Sequence, residues 1–133
     1  MRRLVGTIAS IIGSFQSPGA RKMNSIGIRA VLFQQDEVWC AQCLEHDIAA
    51  EAPTLDALKD EMEAVLAIQA ELSLSHGKQP FADLPRAPEK YFRMYEALQR
   101  ASGWIDEEHS IALDDHVHAC IVARFAYQHD HVV

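Results

Sequence analysis

Residues 38–65 read VWCAQCLEHDIAAEAPTLDALKDEMEAV, and the fold turns on them. VWCAQCL (38–44) is apolar and rich in β-formers, the pattern of a strand. At Pro53-Thr54 the pattern changes. Thr54 is a good N-cap, and Asp56 falls in the first turn, where the helix dipole favours an acid. From there Leu55, Leu58, Met62, Val65, Leu66 and Leu72 recur at helical spacing. Asp60, Glu61, Glu63 and Glu71 lie among them on the polar side. The helix is expected to end near Ser75, ahead of Gly77.

Upstream, IGIRAVLFQ alternates. Ile26, Ile28, Ala30 and Leu32 share one face, and Arg29, Val31 and Phe33 the other. Gln35-Asp36-Glu37 supplies a polar turn, so 26–44 reads as a hairpin, and DIAAEA (47–52) as a short third strand. Downstream, the Pro-rich connector HGKQPFADLPRAPEK leads to a second helix over 89–102. Its apolar side is Tyr91, Phe92, Tyr95 and Leu98, and Gly103 stops it. WIDEEHS (104–110) reads as a loop, and HVHACIVARFAYQ (116–128) as a final strand before the polar tail HDHVV. The order β-β-β-α-(α)-β predicts an α+β domain with both helices packed on one face of the sheet.

The 133 residues suit one domain with a modest core. With 19 acids against 12 bases the formal net charge is −7. That argues against autonomous nucleic-acid binding and suits a basic partner. An odd count of three cysteines precludes a complete intrachain disulfide set and fits a reducing, cytoplasmic setting. MRRLVGTIASIIGSF at the start pairs two arginines with an apolar run. It is broken by Gly6, Thr7, Ser10 and Gly13, and it falls short of the ~20 residues needed to cross a bilayer. Residues 1–22 are therefore expected to be a flexible leader outside a domain spanning 23–133.

Three constellations invite chemistry. Cys40-x-x-Cys43 has zinc-like spacing, but residues three apart in a strand point to opposite faces, so both read as packed strand residues. His116-x-His118-x-Cys120 shares one strand face at about 6.5–7 Å steps, too wide for one ion without help from another element. Glu45-His46-Asp47 sits at a strand end, where active sites often lie, and is also ordinary turn composition. There is no nucleophile elbow, phosphate loop or dinucleotide fingerprint, so no cofactor and no catalytic residue is expected.

The strand-turn-strand order, the WCAQCLEHDI strand end and the Thr-capped TLDAL helix resemble the HicB family of type II toxin–antitoxin antitoxins. Residues 24–75 carry the likeness. Trp39, Ala41 and Cys43 match the family's aromatic and small positions in the second strand, and Thr54 and Leu55 match its helix start. The family's Leu-Pro-Gly-Cys loop is replaced by Leu44-Glu45-His46-Asp47-Ile48. The resemblance implies a truncated RNase H-like fold without nuclease activity, a tendency to form homo-oligomers, and binding to a small basic HicA-like RNase toxin. With Val133 as the last residue, the DNA-binding domain that many HicB proteins carry is not expected here. The partner-binding residues expected on this basis are Glu45, His46, Asp47, Asp56, Asp60, Glu61 and Glu63. The alternative is a small metal-binding or metal-dependent hydrolytic protein using His46, His116 and His118.

Overall fold

The computed structural model describes residues 24–113 and 119–128. The leader over 1–22, His116, His118 and the tail lie outside them. Within them the chain is a mixed α+β protein, with five strands in one sheet and two helices. The order is β1 (Asn24–Gln35), β2 (Val38–Cys43), β3 (Ala49–Ala52), α1 (Leu55–Ser75), α2 (Glu89–Arg100), β4 (Trp104–Ala112) and β5 (Ala119–Gln128).

The expected hairpin forms with Gln35 opposite Val38, leaving Asp36 and Glu37 as a two-residue turn. Both have positive φ, 53° and 67°. That is the type I′ geometry whose twist matches paired strands, at some cost for residues with a Cβ. The sheet order is β3-β2-β1-β5-β4. β1 and β5 run parallel, with Ala30 beside Phe125; the other pairs are antiparallel.

α1 begins where Thr54 Oγ1 accepts the Ala57 N–H at 3.1 Å. It ends in a Schellman motif: Gly77 N–H donates to Leu74 O and Lys78 N–H to Ser73 O, with Gly77 at φ 75°. Leu58, Met62, Leu66 and Ala70 point inward and are fully buried. They pack on Ile28, Ala30 and Leu32 of β1, Ala41 and Cys43 of β2, and Ile121, Ala123 and Phe125 of β5. Each large side chain buried this way contributes about 1.5–3 kcal/mol.

Two expectations are corrected. The helices do not share a face. α2 buries Tyr95 against Val31, Leu44 and Ala126, with Phe33, Phe92, Leu98 and Trp104 partly buried around them. Val31 and Phe33 belong to the β1 face opposite Ala30, so the sheet is sandwiched between α1 and α2. The segment expected as a loop is an edge strand: Trp104–Ala112 pairs with β5 along its whole length. Its acids hid it, because they depart from an apolar alternation.

Candidate functional site

The 44–48 turn is bound to the connector between the helices. Asp47 N–H donates to Pro85 O at 2.7 Å, and Ala87 N–H to Leu44 O at 3.0 Å. Gln42 Nε2 donates to Asp47 Oδ1 at 2.8 Å. Glu45 folds back on β1, where Oε1 accepts the Arg29 backbone N–H at 2.8 Å and Oε2 accepts Nε at 2.5 Å. His46 packs its ring against Phe81, centroids 5.1 Å apart, and its buried Nδ1 meets no partner among the described residues. Phe81 is itself fully buried with φ 64°. All three turn residues thus make contacts within the chain, and Asp47 stays exposed.

The expected acids of α1 divide into two groups. Asp56, Asp60 and Glu61 are exposed on the outer face. Glu63 turns toward β4 and meets His109 Nδ1 at 2.6 Å. The structure therefore does not bring the seven expected residues into one site; it separates a turn, an outer helix face and an inner contact.

That inner contact belongs to a polar cluster between α1, β4 and β5. His109 stacks on Phe125 at 4.3 Å between ring centroids. Its Nε2 lies 3.0 Å from Glu107 Oε1. Glu107 Oε2 accepts Lys59 Nζ at 2.9 Å and the Tyr127 hydroxyl at 2.6 Å. Lys59 Nζ also donates to the Tyr127 oxygen at 3.1 Å. Partial burial opposes the charge on Glu107, but the bonds from Tyr127, His109 and Lys59 together with the Lys59 charge outweigh it and hold the carboxyl at about 2. Lys59, Glu107, His109 and Tyr127 stand outside the expected site residues. The signal for them was present as a period of two, Ile105-x-Glu107-x-His109-x-Ile111, facing α1 with two polar side chains in the middle.

On the opposite face Arg124 spans Asp106 and Glu108, both at 3.2 Å. Beside the far end of α2, Phe33, Trp39, Met94 and Leu98 line a groove of about 410 Å³.

Cys43 is fully buried, and that burial pushes its thiol well up. Cys40 is raised by burial and by the nearby acids Glu51 and Asp36. It lines a separate groove with Phe33 and Tyr91, on the face away from Cys43. Tyr127 is raised by burial and by its bond to Glu107. None of these is an activated nucleophile. Among the described residues no group of three His, Cys, Asp or Glu is set to hold a metal ion. No described helix is long and apolar enough to cross a membrane.

Compared with models of known families, curated proteins and solved structures, the chain matches none. The assignment of a role therefore rests on the residues themselves.

Proposed function

We propose that the chain is a HicB-like, non-enzymatic protein-binding module of the antitoxin type, cytoplasmic, that docks a small basic HicA-like RNase and occludes its RNA-binding groove. The carrying observation is the outer face of α1. Asp56, Asp60 and Glu61 are exposed there, and among the described residues they make no ion pair, while Glu45, Asp47 and Glu63 are already engaged. An exposed charged face steers and orients an oppositely charged partner.

The topology supports the same reading. β1, β2, β3, α1 and β5 follow the order expected of a truncated RNase H-like fold, and α2 with β4 forms an addition before the last strand. β1 carries Arg29 and no acid, whereas metal-dependent RNA cleavage needs converging carboxylates. Self-association through the free edge of β3 belongs to this proposal. The test is titration of a HicA-class RNase with the protein, reading RNA cleavage. Stoichiometric inhibition is expected, with no cleavage by the protein alone.

A further inference from the structure

The outer face of α1 is also apolar in its second half. Ile68 and Leu72 are 62% and 51% exposed. Ala64 is exposed beside them, and Asp60, Glu61 and Glu71 rim the stripe. At 3.6 residues per turn these positions fall in one sector of the helix. A second copy fits this stripe poorly, because pairing it with itself sets acid against acid. The stripe suits an apolar segment that carries positive charge and no negative charge.

Residues 1–22 have that chemistry. They contain Arg2, Arg3, Arg21 and Lys22 and no acid. Leu4, Ile8, Ile11, Ile12 and Phe15 recur at the spacing of one helical face. The geometry of the domain brings the two together. Lys59 reaches Glu107 and Glu63 reaches His109. Glu107 stands opposite Phe125 and His109 opposite Ala123, and these two lie beside Ala30 and Ile28. α1 thus runs toward the sheet end where β1 begins. From Glu63 to Leu72 the helix advances about 13 Å. From Ile28 back to Asn24 the strand covers about 13 Å. Leu72 is therefore level with the point where the leader joins the sheet.

We propose that residues 4–15 dock along the outer face of α1 as an amphipathic helix. Ile8, Ile12 and Phe15 cover Ile68 and Leu72, and Arg2 and Arg3 reach Asp60 and Glu61. The lengths agree: from Phe15 to Arg3 and from Leu72 to Asp60 are both about 18 Å of helix. The segment from Gln16 to Met23 is ample connection. The leader and a basic RNase would compete for Asp60 and Glu61, but leader docking is read with no second protein present, so its failure and that of the toxin-binding proposal are distinguishable.

Hydrogen exchange of the full chain, read by mass spectrometry, decides it. Amides of residues 4–15 are expected to exchange about 10-fold or more slowly than in the free peptide. In Ile68→Glu/Leu72→Glu they should return to the peptide rate while α1 amides stay protected. If that variant loses α1 protection, Arg2→Glu/Arg3→Glu gives the same readout without touching the domain, and a loss of about 3-fold or more in leader protection is expected. Peptide-like exchange of residues 4–15 in the parent overturns the proposal. So does protection that survives both variants, or protection that appears only as protein concentration rises.

Discussion

Glu63 of α1 and His109 of β4 meet at 2.6 Å across 46 residues of chain, and through His109 the helix is tied to Glu107, Lys59 and Tyr127. The clasp turns two inward polar side chains on an edge strand into a means of seating a helix. Inward charge also protects an edge from pairing with other chains.

Glu107→Gln should destabilise the protein at neutral pH by about 1 kcal/mol, since a third of the side chain is exposed and the charge effect is screened accordingly. The pH dependence has a definite sign. Glu107 is lowered from 4.5 to about 2, so its contribution is complete above about 4.5 and is lost as pH falls toward 2. Urea midpoints of parent and variant should differ at pH 7 and converge between pH 4.5 and pH 2. A gap that stays constant down to pH 2 contradicts the assignment.

The hairpin, α1 with both its ends, and the start of α2 were legible because each rests on local physics: alternation in Ile26–Phe33, the Thr54 cap, Gly77 after Ser75, and Pro88 before Glu89. What escaped depends on partners distant in sequence. Glu107 and His109 look like loop residues until Lys59 and Glu63 bond them from α1. The face chosen by α2 depends on Val31 and Phe33, which a hairpin seen alone leaves free for either solvent or a helix. Within the site, the contacts of Glu45-His46-Asp47 with Arg29, Phe81 and Pro85 cannot be read from spacing.

His46 serves packing, so replacement should track shape more than polarity. His46→Phe removes a buried nitrogen without a partner and keeps a ring on Phe81. It should hold or raise stability, whereas His46→Ala should cost about 1–3 kcal/mol. Thermal melts of the two variants separate this from a functional role, in which both would keep stability and lose binding.

Glu37 pays for its turn with φ 67°. Glu37→Gly should raise stability by about 0.5–1 kcal/mol, because relief of left-handed strain exceeds the added freedom of the unfolded chain. A fall in the urea midpoint would mean that the side chain has a use the structure does not display.

The outer acids of α1 should be dispensable for folding. Asp60→Lys and Glu61→Lys, singly, should each change stability by no more than about 0.5 kcal/mol, since they lie on an exposed face away from any cap, core or ion pair among the described residues, whereas Asp56→Lys should cost about 0.5–1 kcal/mol because it sets a cation in the first turn of α1. Chemical denaturation checks this directly and licenses the use of these variants in binding work.

The most direct test of the account is calorimetric titration of a HicA-class RNase into the parent and into Asp60→Lys/Glu61→Lys. Saturable binding by the parent and weakening of about 10-fold or more in the variant, with its fold intact, are the results expected. Absence of binding by the parent, or equal affinity in the two proteins, would contradict docking through the acidic face of α1.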